Sequence, residues 1–150
     1  MLRLLQLIRI IVGRKMNKTY HEMLEYKTFK DRYKYLRLIG YVGEDTFGFN
    51  RFVNQQFYTS RMWRSVRSQV IIRDNGCDLA CPDRPILGKI YIHHINPVSL
   101  EQLEDEDPIL FDLNNLVCVS HTTHNAIHYG DESTLIEDYV PRRPDDTTLW

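Results

Sequence analysis

The chain has 150 residues, 43% hydrophobic and 11% aromatic, which is enough for one ordinary domain with its own core and too apolar for a disordered tail. Its formal net charge of −1 gives no overall attraction for a polyanion. Three cysteines, an odd number with no convincing export signal, argue against a disulfide framework and for free thiols in a reducing, cytoplasmic setting.

Met1 to Val12 is apolar apart from Arg3, Gln6 and Arg9. A membrane-spanning helix needs about 20 consecutive apolar residues, so no membrane span is expected here. Gly13-Arg14-Lys15-Met16 offers no small-residue cleavage site, and the segment reads as a packed first helix or an overlong start ahead of Met16. Thr19 to Leu38 lacks Gly and Pro and is rich in Lys, Arg, Glu, Tyr and Leu, which suits one or two helices, with Thr28 and Asp31 resembling a capping box. Gly40, Gly43 and Gly48 with Asp45 and Asn50 mark a turn-rich connector, and Phe52, Val53, Gln56 and Phe57 suit a short amphipathic helix.

Ser60 reads as the N-cap of the next helix. Trp63, Val66, Val70 and Ile71 recur on it near helical spacing, while Arg61, Arg64, Arg67 and Arg73 take the remaining faces, a core stripe beside a basic surface. Asp74-Asn75-Gly76 stops this helix, and Pro82 to Pro85 makes a second turn. Residues 88 to 95, rich in β-branched side chains, are expected as a strand that Pro97 ends. Glu101 to Asp107 suits a short helix or loop, Leu116 to Val119 a second strand, and residues 121 to 129 a short helix. Pro141 to Trp150 reads as an extended arm from which Trp150 could dock back.

The net charge conceals a bipolar chain. Residues 1 to 75 carry 15 Lys/Arg against 6 Asp/Glu, and residues 76 to 150 carry 4 against 14, so the halves stand at +9 and −10. A basic half can neutralise phosphates while an acidic half holds cations or faces solvent. Solvated helix faces give the same pattern, so the asymmetry alone is weak.

The histidines are more specific, because His93, His94, His121, His124 and His128, five of the six, fall within 36 residues. Such clusters usually serve metal binding or acid/base chemistry. His93 and His94, adjacent near the end of a strand, must point to opposite sides of the backbone. His124 and His128, four apart on a helix, share one face and can chelate a single ion. His121 could face the site or only begin the helix, and isolated His21 reads as an ordinary surface or core residue.

His93-His94-Ile95-Asn96-Pro97, then Asn115-Leu116, then His124-Asn125 and His128 resemble the three parts of the HNH endonuclease motif. Asn115 precedes His124 by nine residues and His128 follows by four, as in that family, and the double histidine is similar to the colicin-type nucleases. Trp63, Arg67, Val70, Arg73, Asp74 and Cys77 resemble the helix and turn that often lead into an HNH core. Ile72 to Leu79, Ile90 to Pro97 and Cys118 to Asp131 look like phage and prophage HNH proteins. The motif covers residues 93 to 128, and the wider likeness about half to two-thirds of the chain.

The resemblance implies an α+β fold with a ββα-metal core. Residues 1 to 58 would be a basic helical extension, 59 to 140 the nuclease core and 141 to 150 the tail. It implies His94 as general base, Asn115 as the orienting residue, and His93, His124 and His128 as ligands of one divalent ion, with Arg61, Arg64, Arg67 and Arg73 on the nucleic acid. Magnesium or manganese is the implied ion, although imidazole ligands also suit zinc or nickel. DNA is the implied substrate, a phage terminase a candidate partner, and the cytoplasm of a bacterial host the implied location.

One family feature is missing. The positions four and one before His124 are Ser120 and Thr123, so Cys77, Cys81 and Cys118 lack the second cysteine pair of a structural zinc. An improvised site of these cysteines with His121 is less expected than a buried strand cysteine at 118. Asp112 and Asp131 are candidate extra ligands, though solvated acids are the simpler reading. Two alternatives stay open: a noncatalytic zinc-binding module that binds nucleic acid or protein, and a ribonuclease of the same chemistry.

Overall fold

A computed structural model of the chain describes residues 18–38, 51–130 and 132–135, with helices arranged around one small sheet in an α+β fold. The expectations for Met1 to Val12, for the connector of Gly40, Gly43 and Gly48, and for the arm from Pro141 to Trp150 lie outside the described residues.

Two short helices come first, α1 (Tyr20–Glu25) and α2 (Phe29–Leu36), each started by a threonine whose hydroxyl accepts a backbone N–H three residues on. The Asp31 carboxylate accepts from the Thr28 hydroxyl at 2.7 Å, where the Glu or Gln of a full capping box would reach back to the cap's own N–H. Helices α3 (Arg51–Thr59) and α4 (Arg61–Arg73) meet at Ser60, whose Oγ accepts from the Trp63 N–H at 3.1 Å. Trp63, Val66 and Val70 are buried along α4 as the spacing requires. Asn75 and Gly76 then adopt positive φ of 53° and 63°, the left-handed region that Asn and Gly enter most readily, and the helix ends.

Strands β1 (Tyr91–His94) and β2 (Leu116–Val119) pair antiparallel, with Tyr91 opposite Val119 and His94 opposite Leu116. The first strand is shorter than the expected 88 to 95. Its partner has only four residues, bounded by the Leu113–Asn115 turn and by the Ser120 cap of the next helix. Upstream, Ile86 donates its N–H to the Gly76 carbonyl and Pro85 bridges to Cys77, so that stretch folds back on the 74–77 turn. Helices α5 (Leu100–Glu104) and α6 (His121–Tyr129) complete the elements that matter for the site, α5 closed by a Ser99–Gln102 capping box.

The hairpin lies between two helical layers. Val117 and Val119 join Tyr20, Met23, Phe29, Tyr33, Leu36, Ala126 and Ile127 in one core, while Leu116 and Cys118 join Phe57, Trp63, Val66, Val70, Leu103 and Leu110 in the other. A strand covered on both faces needs no polar alternation, which accounts for the unbroken Leu-Val-Cys-Val of β2. Residues of the expected 1–58 extension thus belong to both cores, and Tyr33 and Leu38 hydrogen-bond the carbonyls of Ala126 and Ile127 on α6.

Side chains close the outer edge of β2. In an antiparallel pair, alternate residues point their backbone groups away from the partner. On β2 the Cys118 N–H meets the Asp74 carboxylate at 2.8 Å, and the Leu116 carbonyl meets Arg73 at 2.7 Å. Just beyond it, the Ser120 N–H meets Asp78 at 3.2 Å. Asp78 also accepts from the Thr123 hydroxyl at 2.6 Å and so fixes the start of α6. The turn carrying Asp78 holds Leu79 and Ala80 at φ of 50° and 54°, of order 1–3 kcal/mol of strain for each non-glycine residue. The buried Arg32 guanidinium donates to both carbonyls at 2.9 Å and offsets that cost.

Cys77, Cys81 and Cys118 are free and buried. Burial raises the Cys81 thiol, and burial together with the neighbouring Asp74 pushes Cys118 up to about 12. Since the thiolate is the reactive form, Cys81 and Cys118 are expected to label slowly with an aromatic disulfide reagent in the folded chain, as is Cys77 by burial alone, and all three rapidly in urea. Equal rates would show that these turns open freely.

Candidate metal centre

Every element that carries a histidine of the cluster is held in place. On β1, His93 is buried at 3% exposure and His94 at 9%, on opposite faces as strand geometry demands. On α6, His124 and His128 lie one turn apart with ring centroids 4.4 Å from each other and 5.6 and 5.1 Å from His93. The helix is fixed at its start by Ser120 and at its end by Gly130, left-handed at φ 70°, the usual helix stop.

His93, His124 and His128 each offer a nitrogen, and these atoms lie within 4.8 Å of one another. An ion with nitrogen ligands at about 2.0 Å holds them about 3.3 Å apart in a tetrahedron, so small rotations of the half-buried helix imidazoles close the set. The triad can therefore hold a metal ion. His93 supplies a further sign of fit, because its Nε2 is buried without a hydrogen-bond partner among the described residues, and a buried polar atom left unpaired is costly unless something else engages it.

Electrostatics keeps these rings in the ligating form. Burial, then the neighbouring His128 and His124, holds His93 well below the ordinary histidine value. Burial, then His128, lowers His124 to about 4, and burial lowers His128. Metal ligands must be neutral, and at pH 7 all three are.

His94 faces the other core. Its ring stacks on Trp63 with centroids 5.3 Å apart and planes 19° apart, and Phe57 lies 6.3 Å away. Its Nε2 lies 3.1 Å from the Leu110 carbonyl. A carbonyl accepts only, so Nε2 carries the hydrogen and Nδ1 keeps the lone pair. Among the described residues nothing hydrogen-bonds Nδ1. Burial lowers His94 to about 4, so the ring is neutral at pH 7 and its Nδ1 lone pair is not protonated.

Asn115, also buried, ties the surroundings of His94 together. Its Oδ1 accepts from the N–H and side-chain amide of Asn96 at 3.0 and 2.7 Å, and its Nδ2 donates to the Ile109 carbonyl at 3.3 Å. The end of β1 is thereby joined to the turn whose next residue, Leu110, holds His94. Asn96 also pairs through its amide with both backbone groups of Lys18. Asn96 stands within the motif but its residue type gives it no role there, and Leu110 contributes a main-chain carbonyl that no residue type announces.

The remaining candidates divide. His121 is exposed at the start of α6, 5.5 Å from the Tyr91 ring and outside the triad. His21 is exposed and hydrogen-bonds Asn114. Asp112 caps the Asn114 N–H, and Asp131 lies outside the described residues. No cysteine joins a metal-type cluster among the described residues. Arg61 and Arg64 are exposed. Arg67 donates to the Ile90 carbonyl at 3.0 Å. The Arg73 guanidinium pairs with Asp74 at 2.7 Å, lies 3.4 Å from the Tyr20 ring centre and donates to the Leu113 and Leu116 carbonyls. These contacts help close the outer edge of β2.

Compared with protein-family models, curated proteins and solved structures, the chain matches none. Among the described residues no helix is long and apolar enough to cross a membrane.

Proposed function

We propose that the chain is a metal-dependent endonuclease of the HNH class, with a ββα-metal core formed by β1, β2 and α6, hydrolysing phosphodiester bonds in DNA. The observation that carries this reading is the pairing of two chemistries on adjacent residues: His93 joins two other imidazoles that could hold a metal ion, and His94, on the other face of the strand, has an Nδ1 that no described residue hydrogen-bonds. A bare metal staple needs only the first.

His93, His124 and His128 would hold the ion. A divalent ion there would offset negative charge developing on the scissile phosphate and its leaving oxygen. His94 would take the proton of the attacking water at Nδ1, a task that requires the neutral ring its surroundings maintain. Asn115 would hold the loop that aims His94, and exposed Arg61 and Arg64 would neutralise flanking phosphates. Since the ligands and the base lie on opposite faces of β1, the reading puts the diester at the outer edge of that strand, where no strand pairs among the described residues. Magnesium or manganese is the proposed activating ion, and the phage setting, with a terminase as partner in a bacterial cytoplasm, is proposed on resemblance alone.

Supercoiled plasmid incubated with the protein and magnesium, manganese, nickel or zinc in turn is expected to yield nicked or linear product with at least one ion. No cleavage with any of them, together with tight zinc binding, would replace this reading by the noncatalytic zinc module.

A further inference from the structure

The second core has an unusual member. Trp63, Phe57 and the Leu110 carbonyl lie against an imidazole, and the Trp63 ring is nearly parallel to it, 5.3 Å between centroids and 19° between planes. Phe57 packs on Trp63 at 5.0 Å and on Phe111 at 5.4 Å, so the indole is itself held. A ring is fixed by two constraints, one on its plane and one on rotation within that plane. The stack supplies the first, and the 3.1 Å contact from Nε2 to the Leu110 carbonyl supplies the second. Neither suffices alone, because a single hydrogen bond leaves the ring free to tilt about it, and a stack leaves it free to flip and exchange its two nitrogens.

We propose that Trp63 is a positioning residue for His94, stacking on the imidazole so that Nε2–H stays on the Leu110 carbonyl and Nδ1 faces the attacking water. The assignment rests on the nuclease reading for its catalytic meaning and on the stack alone for its structural one. It carries a requirement that ordinary core packing lacks. The metal triad lies on the opposite face of β1, so loss of the stack must disturb His94 and leave ion binding intact. Small misplacements of a catalytic group can cost up to about 100-fold in rate, so the loss belongs in kcat.

Long-range proton–nitrogen spectra of the full-length, 15N-histidine-labelled chain are the first test. His94 is expected as a single Nε2–H tautomer in the wild type, and a mixture of tautomers overturns the proposal whatever the variants do. In Trp63→Leu the His94 tautomer should become mixed and kcat on plasmid should fall roughly 10- to 100-fold, with KM and the zinc affinity unchanged. In Trp63→Phe, which keeps an aromatic face, the single tautomer and most of kcat should return. A Trp63→Leu protein that binds zinc normally and keeps its tautomer or its kcat overturns the proposal. If Trp63→Leu binds no zinc, Trp63→Phe decides, and a mixed tautomer there is equally fatal. A wild type that cuts nothing but shows the tautomer change in Trp63→Leu sinks the nuclease reading and leaves the positioning assignment standing.

Discussion

His94→Ala is expected to cut supercoiled plasmid roughly 10²- to 10⁴-fold more slowly than the wild type, the range associated with removing a general base, while binding zinc with unchanged affinity. The two halves of this result come from the two faces of one strand. His94 projects toward Trp63 and Leu110, and His93 toward α6, so truncating His94 removes an imidazole nitrogen that no described residue hydrogen-bonds and leaves every candidate ligand in place. The substitution has a structural cost, since it opens space beside Trp63 and leaves the Leu110 carbonyl without its donor, about 1–3 kcal/mol for an unsatisfied buried group. Zinc affinity is therefore also the control for folding. Cleavage within a few-fold of wild type by a zinc-loaded His94→Ala protein would remove His94 from the chemistry and, with it, the argument that separates a nuclease from a metal staple.

Much of this arrangement was legible in the sequence because it rests on short-range rules. Ser60 and Thr28 cap helices as their residue types predict, Asn75-Gly76 turns the chain, and the four-residue spacing of His124 and His128 sets them on one helix face. Adjacent strand residues point to opposite sides, so the separation of His93 from His94 needed no tertiary information. What was not legible depends on contacts distant in sequence. The length of β1 is set by β2, over twenty residues away. The fate of Arg73 depends on Tyr20, Asp74 and two carbonyls near residue 115 that engage it, whereas on a helical wheel it is indistinguishable from Arg64. Trp63 was recognised as core but not as a neighbour of His94, because a periodic apolar stripe says that a side chain is buried and not what it is buried against.

A large loss of metal binding is expected at His93. Zinc at 100 times its dissociation constant stabilises a protein that binds it only when folded by about 2.7 kcal/mol, which for a chain of this size is a rise in Tm of roughly 5–10 °C. His93→Ala should abolish that rise and weaken zinc binding by more than the roughly 10- to 100-fold that loss of an outer hydrogen-bond partner costs a metal site. His124→Ala should do the same, so the zinc result alone does not distinguish the two. The apo proteins do. His93 is 3% exposed with a buried Nε2 that has no hydrogen-bond partner among the described residues, whereas His124 is half-buried. Removing an unsatisfied buried nitrogen relieves a penalty of about 1–3 kcal/mol, which offsets much of the packing lost with the ring. Without metal, His93→Ala should therefore melt close to the wild type, although so buried a truncation would ordinarily be costly. A large loss of apo stability in His93→Ala would mean that the ring is there for packing. A zinc-induced rise in Tm that survives the substitution would mean that the ion, wherever it binds, is not held by the triad.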